Sequence, residues 1–222
     1  MSPFLIFQLV VLIFSIMIHE IAHGAMALRL GDNTAKRLGR LTLNPLKHLD
    51  PVGSVILPLM LILFNSPILI GWAKPVPYNP YNLKDPKKGA ALIGAAGPLS
   101  NIVIAVTFSI ILSFSAVLGI SSTLMAAIGV IVLINLLLAI FNLVPIPPLD
   151  GSKLLFALFP RSWFKAQMIM ERNGFLFLLL FIFLGLRWLW MAVMIVFVAL
   201  LVVTGVDPNQ VLEAMTAIAG RQ

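Results

Sequence analysis

Four stretches of this chain, 3–30, 90–118, 123–144 and 174–205, run almost without charge, and each is long enough to cross a bilayer as a helix. Inside hydrocarbon every backbone N–H and C=O must be bonded within the protein, so apolar runs of this length restrict the chain to helices. Of its 222 residues, 60% are hydrophobic and 10% charged, with a mean hydropathy of +1.06. That balance excludes an ordinary water-soluble domain and predicts an all-α, multi-pass integral membrane protein whose first partner is the lipid bilayer.

The few charges say how the chain threads the membrane. The net charge of +7 comes from Lys and Arg in the connectors, where the positive-inside rule places them, so nucleic acid is not expected as a partner. Residues 32–50, 72–89 and 153–172 are basic and want the same, cytoplasmic, side. The intervening stretch 51–71 is apolar but broken by Pro58 and Asn65-Ser66-Pro67, and charge parity favours a re-entrant segment there over a full crossing. The N-terminus then lies outside, and the chain holds four to six membrane segments. Gly185-Leu186-Arg187-Trp188 favours a hairpin of two short helices within 174–205 over one tilted span, and Leu41-Thr42-Leu43 alternates as a short β-strand in a connector would. No connector is large enough for a separate soluble core. The whole of 1–222 reads as one membrane-embedded domain, with a catalytic core over about 3–160. Residues 1–18 lack the basic start and cleavage site of a signal peptide and are expected to be retained.

The segment 3–30 carries His19-Glu20-Ile21-Ala22-His23 in its second half. Imidazoles four apart on a helix share one face and can share a tetrahedral Zn²⁺, while the intervening carboxylate can act as a base on a metal-bound water. Ionisable residues are costly in an apolar span and are functional by default. With no cysteine in the chain, a third ligand must come from a histidine or carboxylate: His48, Asp50, Asp150 or a few others. Asp150 is the best placed, because Pro145, Pro147 and Pro148 end the preceding helix and leave an extended backbone from which a carboxylate can swing back. The plain alternatives are that Asp150 caps a helix from Ser152 or pairs with Lys153, that Asn142 bonds Asn135 one heptad earlier, and that His48 pairs locally with Asp50.

His19-Glu20-Ile21-Ala22-His23-Gly24, taken with Asn142 to Gly151 and its ending Pro148-Leu149-Asp150-Gly151, resembles the site-2 protease family of intramembrane zinc metalloproteases. Ala96-Gly97-Pro98-Leu99-Ser100-Asn101 matches as well. Asn44 to Pro51 and Gly71 to Pro80 resemble a compact, bacterial-type branch without appended recognition domains, and the helix that larger members place ahead of the motif helix is expected to be absent. The resemblance implies one Zn²⁺ per chain held by His19, His23 and Asp150, with Glu20 activating a zinc-bound water and Asn142 holding the substrate or its developing oxyanion. His48 is a further candidate, as a partner behind the ligands or a gate.

The implied reaction is hydrolysis of a peptide bond in or next to the transmembrane segment of a single-span substrate, in a prokaryotic cell membrane. The metal lies toward the cytoplasmic side, because His19 and His23 sit near the inner end of their span. Helical peptide bonds must be unwound for cleavage, and the proline-rich stretches 73–80 and 143–149 can supply an extended docking surface. The rival readings are a metal-ion transporter or binding protein, and a catalytically silent relative acting as an assembly partner. No sequence feature names an oligomeric state.

Overall fold

The computed structural model describes residues 3–48, 50–56, 59, 60, 63, 64 and 74–219. Among them, four helices are long and apolar enough to cross a membrane: α1 (Pro3–Arg29), α2 (Pro86–Ser113), α3 (Ser122–Leu143) and α6 (Gly174–Val203). Between α3 and α6 lie two short helices, α4 (Asp150–Leu158) and α5 (Phe164–Arg172), and α7 (Pro208–Ala219) closes the described chain. The protein is an all-α integral membrane protein.

Local chemistry sets the helix ends. Asp85 caps α2 by accepting from the N–H groups of Lys87 and Lys88, and Pro86 takes the first helical position, where no N–H is needed. Ser121 caps α3 through the N–H of Leu124. Pro145, Pro147 and Pro148 end α3 and separate it from α4, as the sequence predicts. At Gly151 a Cβ would stand 2.2 Å from the Leu143 carbonyl oxygen, so only glycine lets the first turn of α4 fold back against the end of α3. This close approach returns Asp150 toward the bundle.

α2 is the central element and packs against α1, α3 and α4. One apolar core joins Ala105 and Leu112 of α2, Val132 and Leu136 of α3, Val193 and Phe197 of α6, and Val211 of α7. A second, smaller cluster of Ala27, Leu83 and Ile93 ties α1 to the start of α2 near the basic connectors.

Two expectations are corrected. No hairpin breaks 174–205: α6 is one 30-residue helix that runs through Gly185 and the exposed Arg187. Neither a proline nor a left-handed residue stands at 185–188, and the turn comes later, at Gly205 with φ 78°. At about 1.5 Å per residue the helix is roughly 45 Å long, so it exceeds the hydrocarbon core, and a long arginine side chain can reach toward a headgroup layer. Leu41-Thr42-Leu43 forms bends, not a strand, and no strand occurs among the described residues. Here the Thr42 hydroxyl accepts from the Asn44 N–H and the Thr42 carbonyl takes the His48 ring, so local bonds replace a ladder. Of the stretch expected to re-enter the membrane, residues 51–56 form a π-helical turn, while 57, 58, 61, 62 and 65–71 lie outside the described residues. Trp72 of the motif that follows also lies outside them.

Candidate metal centre

His19 and His23 stand one turn apart on α1 with their rings edge to face, centroids 4.6 Å apart. Asp150, at the start of α4, brings Oδ2 to 3.0 Å from Nε2 of each ring. One ligand atom from each of the three residues falls within 4.8 Å of the others, and all three side chains are buried. Residues 131 positions apart in the chain thus converge on one point.

The outer nitrogens decide what that point can hold. His23 Nδ1 lies 2.6 Å from the Ile93 carbonyl oxygen, and His19 Nδ1 lies 2.6 Å from Asn101 Oδ1. A carbonyl oxygen only accepts, so each Nδ1 carries a hydrogen, and in the neutral form each ring turns its Nε2 lone pair toward Asp150. Three lone-pair-bearing atoms at such distances repel unless positive charge lies between them. A divalent cation satisfies all three at once, and two histidines with one carboxylate are a donor set that suits Zn²⁺.

Gly97 supplies the space. A Cβ there would stand 2.5 Å from His23 Nε2 and 2.6 Å from His19 Nε2, so the face of α2 opposite the imidazoles must be bare. Lys153 Nζ donates to Asp150 Oδ1 at 2.8 Å, which leaves Oδ2 turned toward the histidines.

Glu20 sits beside the trio, half-buried, and its Oε2 accepts from the Val76 N–H at 2.8 Å. That bond ties the catalytic-base candidate to the extended segment 74–79. The segment is anchored further by Arg40, which donates to the carbonyls of Lys74 and Pro75, and by Asp32, which accepts from the Asn79 N–H. A cavity of about 640 Å³ opens beside α4, lined by Tyr78, Lys87, Pro147, Pro148, Lys153 and Phe156.

The remaining candidates stand apart from the convergence. Asn142 is half-buried and donates to the Leu138 carbonyl one turn back, and Asn135 bonds elsewhere. Asp50 accepts from the N–H groups of Val52 and Gly53. His48 is buried in the connector, its Nε2 2.9 Å from the Thr42 carbonyl oxygen. What sequence reasoning did not assign is the outer ring of partners: Asn101, the Ile93 carbonyl, Gly97 and the Val76 N–H.

The chain is 38% identical over 185 residues to the "Putative zinc metalloprotease YwhC" of Bacillus subtilis, an alignment covering 81% of this chain and 80% of that one. The chain belongs to peptidase family M50, the site-2 proteases. The profile described as "Peptidase family M50" matches residues 115–181, which include Asn142 and Asp150. Over 137 residues the chain is 30% identical to the "Putative zinc metalloprotease Rip2" of Mycolicibacterium smegmatis, covering 62% of this chain and 51% of that protein. Over 80 residues it is 34% identical to "Zinc metalloprotease MJ0392" of Methanocaldococcus jannaschii, covering 36% and 23%. No solved structure matches it. As an M50 member the protein is a membrane-embedded zinc metalloprotease, and Zn²⁺ is its cofactor.

Proposed function

We propose that the protein hydrolyses a peptide bond in or beside the transmembrane segment of a single-span membrane protein, with His19, His23 and Asp150 holding the zinc and Glu20 acting as the base. The observation that carries this reading is the convergence of two imidazole Nε2 atoms and one carboxylate oxygen beneath the bare face at Gly97. Zinc supplies a Lewis acid that makes water acidic near neutral pH and polarises a carbonyl.

The chain's own residues do the rest. Glu20 accepts the proton of the attacking water and passes it to the departing amine. The Val76 N–H holds the Glu20 carboxylate at its post without neutralising it. Asn142, on the last turn of α3 before the proline stretch, is assigned to the substrate or its developing oxyanion; turning its amide away from the Leu138 carbonyl frees its N–H groups. Tyr78 of the segment 74–79 and Pro147 and Pro148 line the cavity beside α4, where an unwound substrate can lie extended. The end of α1 that follows the two histidines leads into the connector carrying Lys36, Arg37, Arg40 and Lys47, which supports a site near the cytoplasmic face of a prokaryotic cell membrane.

The test is cleavage of single-span substrates co-reconstituted with the protein in vesicles, wild type against Glu20→Gln. The expected result is release of a fragment by the wild type and none by Glu20→Gln, with zinc content equal in both. Undiminished cleavage by Glu20→Gln would remove Glu20 as the base. Equal zinc with no cleavage by either form across a panel of such substrates would favour the transport or assembly-partner readings.

A further inference from the structure

Among the polar side chains buried inside the apolar spans are Asn101 of α2 and Asn135 of α3 at 0% exposure and Ser15 of α1 at 4%. They form a hydrogen-bonded line ending on His19. Asn135 Nδ2 lies 2.9 Å from the Ile131 carbonyl oxygen and 3.0 Å from Ser15 Oγ. Asn135 Oδ1 lies 2.9 Å from Asn101 Nδ2, which is also 3.4 Å from the Ser15 carbonyl oxygen. Asn101 Oδ1 then meets His19 Nδ1 at 2.6 Å.

The two backbone carbonyls fix the direction of every bond in this line. The Ile131 carbonyl can only accept, so it takes the NH₂ end of Asn135 and leaves the Asn135 oxygen toward Asn101. Asn101 must answer with its own NH₂, which also suits the Ser15 carbonyl, and so its oxygen faces His19. That oxygen can only accept. His19 therefore bears its hydrogen on Nδ1 and presents Nε2 as the lone pair.

We propose that Asn101, oriented by Asn135 and Ser15, is a positioning residue that fixes the tautomer and ring plane of His19 so that Nε2 is offered to the metal. The inference rests on the reading above that His19 is a zinc ligand. His23 receives the same service from the Ile93 carbonyl, which no side-chain substitution removes. For His19 the duty falls to a side chain, and the amide must be kept from flipping, which would turn an N–H donor against Nδ1. Buried amides that served only to glue α1, α2 and α3 together would stabilise the bundle without dictating the state of the ring.

The chain has three histidines, so ¹⁵N-histidine labelling of the zinc-loaded protein in detergent micelles gives a spectrum with few ring signals. Wild type is expected to show the His19 Nδ1–H as a downfield, slowly exchanging proton. In Asn101→Leu that signal should move or vanish, and zinc affinity, measured by chelator competition, should fall about 10- to 100-fold. Asn135→Leu touches neither His19 nor the metal site, yet frees the Asn101 amide, and should weaken zinc by less than about tenfold while broadening the His19 signal. An unchanged His19 signal and zinc affinity in Asn101→Leu would overturn the inference. So would a sharp, unshifted His19 signal together with wild-type zinc affinity in Asn135→Leu, a result that also decides the matter should Asn101→Leu fail to fold. Zinc that leaves the His19 signals of wild type unperturbed would instead refute the ligand assignment on which the inference rests.

Discussion

Gly97→Ala adds one methyl group at the point where the two imidazoles face α2. Ordinary van der Waals contact begins near 3.4 Å, and the new Cβ would stand 2.5 Å from His23 Nε2 and 2.6 Å from His19 Nε2, shortfalls of 0.9 and 0.8 Å. These are ring nitrogens with no flexible end to swing aside, because each Nδ1 is held at 2.6 Å by Asn101 or Ile93. Relief requires the rings to retreat by most of an ångström, well beyond the tolerance of about 0.2 Å for a zinc–ligand distance. The expected result is a fall in zinc affinity of at least about 100-fold, or roughly 2.7 kcal/mol. Helix propensity works the other way, since alanine is better than glycine within a helix by about 1 kcal/mol. Weakened zinc binding in a protein that keeps its helical circular dichroism would therefore report on the site. Wild-type zinc affinity and full stoichiometry in a folded Gly97→Ala protein would refute the packing argument.

Replacing Tyr78 by Gly strips one wall of the cavity beside α4 and leaves the metal ligands alone, so substrate cleavage should fall while zinc content holds; unchanged cleavage would remove the 74–79 segment from substrate docking. Asp32 is buried and accepts from the Thr34 N–H and hydroxyl, the Asn82 amide and the Asn79 N–H, which fasten the end of α1 to the loop before α2. Burial raises its pKa, but the bonds from Thr34, Asn82 and Asn79 outweigh that and hold it below the ordinary carboxylate value. A depressed folded pKa contributes stability that is complete above the unfolded value near 4 and is lost as pH falls through the lower, folded one. Thermal melts in detergent should show this acid-side loss in wild type. In Asp32→Asn, whose NH₂ must face one of those donors, the same portion should be missing, with stability at pH 7 lower by about 1–3 kcal/mol.

Much of this architecture is legible in the sequence because the bilayer makes long apolar runs nearly unambiguous. The four spans fall within a few residues of their expected places, and α2 starts earlier than its apolar run only because Asp85-Pro86 is a strong helix start. That His19 and His23 share one face is legible from spacing, and that Asp150 can swing back toward them from the prolines that precede it. The continuous α6 is not: Gly185 and Arg187 look like a break, and only the geometry of 185–188 shows that nothing there needs to turn. The outer ring of the site escapes for a different reason. Asn101, Asn135, Ser15 and Gly97 act through neighbours on other helices, and sequence spacing carries no record of which helices touch. The motif from Ala96 to Asn101 contains two of these residues without giving either a role, and isolated polar residues inside spans, where each needs a partner, are the further hint. The plain alternative of an Asn142–Asn135 bond looks along one helix, while the side-chain partners of Asn135 are on α1 and α2.

The most direct test of the account is zinc per chain in detergent-purified protein, with wild type, His23→Ala and Asp150→Ala handled identically. The account predicts about one zinc per wild-type chain and loss from both variants, because one tetrahedral site needs ligands from α1 and α4 together. Full zinc retention by a folded Asp150→Ala protein would contradict it.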